Sequence, residues 1–170
     1  FLPGASEIRR VAQRLAQMLD QRSEIIVAPL YGALSPADQD MAIAPAPGDV
    51  RKVVLATPIA ESSLTIEGVR VVIDSGQVRQ PVFEPALGAT RLVTRRASQA
   101  SVAQRMGRAG RTQPGVCIRL WPEPQTASLP AFAPPEVETA DLAPLLLRSA
   151  LFGERDPARL NWLDPLPKAH

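Results

Sequence analysis

Val50-Arg51-Lys52-Val53-Val54-Leu55-Ala56 is the stretch that decides the fold. A short apolar run ending on Val53-Val54-Leu55-Ala56 has the length and β-branched content of a buried strand. Working outward, Ile25 to Leu30 and Val69 to Ile73 repeat the pattern, and Phe1-Leu2 reads as the end of a further strand. Pro3-Gly4 turns that strand into a helix from about Ser6 to Leu19, with Ile8, Val11, Ala12, Leu15, Met18 and Leu19 on one face and Ser6 as its N-cap. Ser35 caps a brief helix over Pro36 to Met41, and Ala42 to Asp49 is a loop. Asp74-Ser75-Gly76 is a turn. Short runs buried on both faces and separated by helices predict an α/β fold with a mostly parallel sheet flanked by helices.

Beyond Gly76 the pattern changes. From Gln77 to Arg96, Val78, Val82, Phe83, Leu92 and Val93 are set among polar residues around Pro85-Ala86-Leu87-Gly88, which predicts a projecting β-hairpin whose second arm carries Arg91, Arg95 and Arg96. Gly115 to Trp121 supplies a closing strand. Pro122 to Pro135 is an irregular crossing, and Thr139 to Phe152 returns to helix with Leu142, Leu145, Leu146, Ala150 and Leu151 as its stripe and Gly153 beyond its end. The expected division is a lobe over 1–122, a connector over 123–138, and a helix opening a following domain over 139–170.

At 170 residues, 45% hydrophobic and 21% charged, the chain can bury a sizeable core. Its net charge of +2 is small, yet arginine dominates the cations and only Lys52 and Lys168 are lysines. Local clusters therefore matter more than the total. A single cysteine, Cys117, excludes an internal disulfide and a cysteine metal cluster and leads us to expect a reducing, cytoplasmic location. The one histidine, His170, leaves histidine triads and histidine metal sites almost nothing to work with. No apolar run reaches the roughly 20 residues of a membrane span. The abrupt start at Phe1-Leu2-Pro3-Gly4 reads as a piece of something longer.

Gln104-Arg105-Met106-Gly107-Arg108-Ala109-Gly110-Arg111 concentrates the chemistry. On a helix opened by the small residues from Ser98 onward, Gln104, Arg108 and Arg111 fall at i, i+4 and i+7 and share a face. That face would offer one amide and two planar five-donor cations suited to phosphate oxygens. Gly107 and Gly110 each cost a helix interior about 1 kcal/mol relative to alanine, which points to something approaching the backbone closely. Glu61 alone reads as a solvated first-turn carboxylate, Asp74 as a turn residue, and Tyr31, Trp121 and Trp162 as packing aromatics. Thr57, Ser62, Ser63 and Thr65, taken by themselves, read as caps of a helix that follows the strand.

Three segments together resemble a known family: Phe1-Leu2-Pro3-Gly4-Ala5-Ser6-Glu7-Ile8, then Ala56-Thr57-Pro58-Ile59-Ala60-Glu61-Ser62-Ser63-Leu64-Thr65-Ile66, then Gln104 to Arg111. In order and spacing they are similar to motifs IV, V and VI of the DEAH/RHA group of superfamily 2 helicases. Thr90 to Ala100 and Trp121-Pro122 narrow the resemblance toward the bacterial HrpB-type ATP-dependent helicases.

The resemblance implies the second RecA-like lobe of a two-lobe motor, with ATP and Mg²⁺ bound mainly by a first RecA-like lobe. Neither a Gly-x-x-x-x-Gly-Lys-Ser/Thr stretch nor an Asp-Glu-Ala-His box occurs here. This chain alone should therefore not hydrolyse ATP. By position, the resemblance assigns Gln104 to the attacking water and Arg108 and Arg111 to the γ-phosphate. It also assigns Gly107 to the nucleotide side, Ser63 to coupling nucleotide state with the strand, and Glu67 to the ribose. Thr57 and Thr65 in motif V, Gly4 at its strand-to-helix turn, and Arg91, Arg95 and Arg96 on the hairpin would contact a single-stranded nucleic acid, RNA by resemblance, without reading its sequence. Residues 139–170 would open a winged-helix region. Pro58 departs from the family's usual Asn and Ser62 from its usual Thr. The rival class is a non-catalytic nucleic-acid-binding or scaffold module, which would have no reason to keep Gln104 in line with two arginines.

Overall fold

The computed structural model describes residues 1–19, 24–61, 64–111 and 113–167. Its elements run α1 (Ala5–Leu19), β1 (Ile25–Leu30), α2 (Pro36–Ile43), β2 (Arg51–Ala56), β3 (Val71–Asp74), β4 (Gln77–Glu84), β5 (Ala89–Arg96), α3 (Gln99–Met106), β6 (Val116–Arg119), α4 (Pro124–Ala127) and α5 (Ala143–Leu151). They form two compact units, Phe1–Val78 with Thr94–Ala133, and Arg79–Val93 with Pro134–His170.

In the first unit the apolar runs become parallel strands. β1 pairs with β2 from Ile25 opposite Arg51 to Leu30 opposite Ala56, and β3 pairs with β6 from Val71 opposite Val116 to Asp74 opposite Arg119. Phe1-Leu2 bridges the two pairs: the Leu2 N–H donates to the Ala56 carbonyl at 2.9 Å, and the Ser75 N–H donates to the Phe1 carbonyl at 3.2 Å. This is the expected α/β architecture, with helices carried between parallel strands. Leu30, Ala56 and Ala60 centre one core cluster; Val78, Ala97, Val102, Trp121 and Leu129 form another. Gly76, at φ 68°, lets the turn after β3 lie against Trp121, where an added Cβ would come within 2.7 Å of the ring.

Local chemistry sets the element ends. Ser35 caps α2 by accepting the Asp38 N–H at 3.2 Å, and Pro36 occupies its first turn. Lys52 Nζ donates to the carbonyls of Met41, Ala42 and Ala44 at the other end of α2, a favourable place for a cation.

β4 and β5 pair as the predicted hairpin around Pro85–Leu87 and Gly88. In the second unit the Phe83 N–H donates to the Thr139 carbonyl at 2.8 Å, and α5 lines an apolar cavity of about 300 Å³ with Pro157, Ala158, Leu166 and Pro167. No helix among the described residues is long and apolar enough to cross a membrane.

Several expectations are corrected. α1 begins at Ala5, with the Gly4 carbonyl accepting the Ile8 N–H, so Ser6 lies inside the first turn rather than capping it. Met18 is 78% exposed because it stands on the flank of the Ile8, Leu15 and Leu19 stripe. On α5 the buried side is Ser149 with the half-buried Leu142 and Leu145, while Ala150 and Leu151 face solvent. The sheet is not buried on both faces: Val71, Ile73, Val116 and Ile118 are about half exposed, since nothing in the described chain covers that side of β3 and β6.

Candidate functional site

The site is built at the end of α3. Ser98 starts the helix by accepting the Ser101 N–H at 3.2 Å. The helix stops at Met106: the Gly107 N–H still donates to Ala103, but the N–H groups of Arg108 and Ala109 donate only three residues back, to Arg105 and Met106. The expected helical face through Gln104, Arg108 and Arg111 is therefore corrected, because the two arginines stand on the turn after the helix. Gln104, Gly107, Arg108 and Arg111 nonetheless line one open cavity of about 310 Å³, with Glu61 on its wall.

Arg105 is the anchor. It is fully buried, donating from Nε to Glu61 Oε1 at 2.7 Å and from Nη1 to Asp74 Oδ1 at 2.8 Å and the Gln77 carbonyl at 3.2 Å. Its guanidinium also lies 5.2 Å from the centre of the Phe1 ring. Ser101 Oγ donates to the same Glu61 oxygen at 2.8 Å. The solvated reading of Glu61 is thus corrected. Asp74 is the turn residue expected, accepting the Gly76 N–H at 2.8 Å, and is also fully buried in the ion pair.

Arg108, 9% exposed, donates through Nη1 to the Leu64 carbonyl and through Nη2 to the Glu61 carbonyl. Arg111 Nη1 donates to Thr65 Oγ1 at 3.0 Å. Among the described residues no carboxylate lies within ion-pair distance of either arginine. Burial lowers the Arg108 pKa from its ordinary value; the neighbouring Arg111 charge pushes the same way, and Glu61 opposes them. A guanidinium stays charged in proteins, so this is a cation its site disfavours, and an anion brought into the cavity would relieve it.

Gly107 and Gly110 are not demanded by the chain's own packing. Gly107 has an ordinary helical φ of −61°, an added Cβ there would meet its nearest neighbours at 3.5 Å, and one on Gly110 would meet nothing within 4 Å. Glu67 is exposed. Thr57 precedes the tight turn Pro58–Ala60 without a side-chain capping bond, and Gly4 is buried at the start of α1. Ser62 and Ser63 lie outside the described residues. On the hairpin, Arg91 pairs with Glu84 at 2.6 Å, and Arg96 stacks 5.7 Å from the Trp121 ring centre and donates to Gln125 at 3.2 Å. Arg95 is exposed, with no partner among the described residues. No group of three or more His, Cys, Asp or Glu among the described residues could hold a metal ion.

The residues missed from sequence are Glu61, Asp74 and Arg105. Their signal was an ionisable residue inside each of three separate segments, which becomes meaningful only when the segments meet.

Residues 5–113 match the helicase conserved C-terminal domain, and the chain belongs to that family. It is 50% identical over 167 residues to the ATP-dependent RNA helicase HrpB of Escherichia coli strain K12, covering 98% of this chain and 20% of that protein. It is 40% identical over 169 residues to the probable ATP-dependent RNA helicase DHX34 of Homo sapiens, covering 99% and 15%. A crystal structure of the E. coli DEAH/RHA helicase HrpB superposes with a TM-score of 0.91 at 50% identity, covering 98% of this chain and 21% of that one. The chain thus spans about a fifth or less of the length of these relatives.

Proposed function

We propose that this chain is the C-terminal motor lobe of an ATP-dependent RNA helicase that works with a first RecA-like lobe of the same polypeptide, in the cytoplasm. The observation that carries the proposal is the convergence of Gln104, Arg108 and Arg111 on one open cavity, the two cations without acidic partners. An ATP held by the first lobe would present its γ-phosphate there. Gln104 orients the attacking water, and the two guanidinium groups meet the charge developing on the phosphoryl oxygens. In arginine-finger systems such a cation is worth about 10³ to 10⁵ in rate. The cavity's free donors suit phosphate oxygens rather than a cation, so Mg²⁺ is assigned to the first lobe. Gly107 leaves room for the nucleotide, Glu67 meets the ribose, and Ser63 couples nucleotide state to the strand.

The strand track comprises Gly4, Thr57, Thr65, Arg91, Arg95 and Arg96, contacting the backbone of single-stranded RNA. The Thr57 hydroxyl, which makes no capping bond, and the exposed Arg95, without a partner among the described residues, support it. Residues 139–170 open the following domain. A binding-only module would leave an exposed amide beside two cations without a purpose.

Arg111→Ala in the full-length protein is expected to abolish RNA-stimulated ATP hydrolysis, with RNA affinity within a few-fold of the parent. Normal turnover in that variant would remove the arginine role.

A further inference from the structure

Glu61 touches both the buried Arg105 and the cavity-lining Arg108. Its carboxylate accepts from Arg105 Nε at 2.7 Å and Ser101 Oγ at 2.8 Å, while its backbone carbonyl accepts from Arg108 Nη2. Arg105 is itself fixed, buried against Asp74, the Gln77 carbonyl and the Phe1 ring. A continuous line of held groups therefore runs from the end of β3 through Arg105 and the Glu61 carboxylate to the Glu61 carbonyl and the Arg108 guanidinium.

We propose that Glu61 is a positioning residue: its clamped carboxylate fixes the carbonyl that aims Arg108, and so joins the loop that begins at Thr57 to the arginine cavity. The inference rests on the proposed phosphate-facing role of Arg108. The choice of atoms supports it. A carboxylate on Arg108 would neutralise the charge, whereas neutral carbonyls from Glu61 and Leu64 take two of its five donors and leave the charge for an anion. The carboxylate ion pairs go to Arg105, which does not line the cavity, and the Glu61 charge acts on Arg108 only at a distance. The same residue closes the turn that starts at Thr57, since the Glu61 N–H donates to the Pro58 carbonyl at 2.8 Å. A strand pressing on Thr57 would thus move the carbonyl that holds Arg108.

The test uses the full-length protein and RNA-stimulated ATP hydrolysis. Glu61→Gln keeps the side-chain shape but weakens the grip of Arg105, and should lower kcat about tenfold with the KM for ATP and RNA affinity within about twofold. In an Arg108→Ala background the same substitution should cause no further loss, since the residue it aims is gone. Ser101→Ala removes one hydrogen bond to Oε1, leaves the ion pair intact, and covers the case of a Glu61 variant that does not fold. It should give a smaller loss, about two- to threefold, which also vanishes in the Arg108→Ala background. If Arg108→Ala alone lowers kcat but the Glu61 and Ser101 losses multiply with it, the positioning role is overturned and the phosphate role stands. If Arg108→Ala leaves kcat unchanged, the phosphate role of Arg108 fails and this inference with it.

Discussion

Three arginines at the end of α3 and three on the second arm of the hairpin are held differently by the fold. At the end of α3, both carboxylates go to Arg105, which is fully buried, while Arg108 and Arg111 are held by carbonyls and a hydroxyl. On the hairpin, a carboxylate goes to the exposed Arg91, an indole ring and an amide go to Arg96, and Arg95 is left to solvent. The first arrangement fixes direction without cancelling charge, as a small, highly charged ligand requires. The second fixes little, which suits contacts to a polyanion that need no single geometry.

The largest effect should come from breaking the buried end of the first group. Arg105→Ala leaves Asp74 and Glu61 without their counter-cation in a low-dielectric interior, and removing one partner of such a buried pair costs about 3–5 kcal/mol. A large fall in the unfolding temperature of the lobe is expected. Arg111→Ala, by contrast, should change stability by less than about 0.5 kcal/mol, because its only described bond is to an exposed hydroxyl. Equal destabilisation by the two would erase the distinction between an anchoring and a charge-presenting arginine.

That contrast also marks what could be read in advance. The parallel sheet followed from apolar runs whose length and flanking turns sufficed, and the hairpin from its proline and glycine punctuation. The three cavity side chains were legible as a cluster, though not in their geometry. The i, i+4, i+7 spacing assumed a helix that the structure ends at Met106, and a tightened turn brings the same residues to the cavity by another path. Glu61 and Asp74 were not legible, because their partner Arg105 lies 44 and 31 residues away and neither carboxylate has a distinctive local pattern. Periodicity likewise predicted a stripe on α5 without saying how much would be covered, and Leu151 remains 88% exposed.

On the hairpin the expected effects are smaller. If Arg95 contacts phosphate, Arg95→Ala should flatten the salt dependence of RNA binding by about 0.7 in log–log slope, with no change in unfolding temperature. Removing Arg96 as well should flatten it by a similar amount, and should also loosen the hairpin base, since the stacking on Trp121 is lost. An unchanged slope in both variants would take the hairpin off the strand path.

The smallest effect tests the ion pair of Arg91 with Glu84. Arg91 and Glu84 are both partly exposed, so the ion pair contributes less than about 1 kcal/mol to stability. Glu84→Gln should therefore leave the unfolding temperature almost unmoved. It does, however, remove a negative charge beside the proposed track and release the Arg91 guanidinium. RNA affinity should rise about two- to threefold at low salt, and the gain should disappear near 1 M salt, where the screening length shrinks to about 3 Å. A gain that persists at high salt would mean that the substitution reshaped the hairpin rather than freed a charge. No gain at any salt would place Arg91 outside the contact and let the track begin at Arg95.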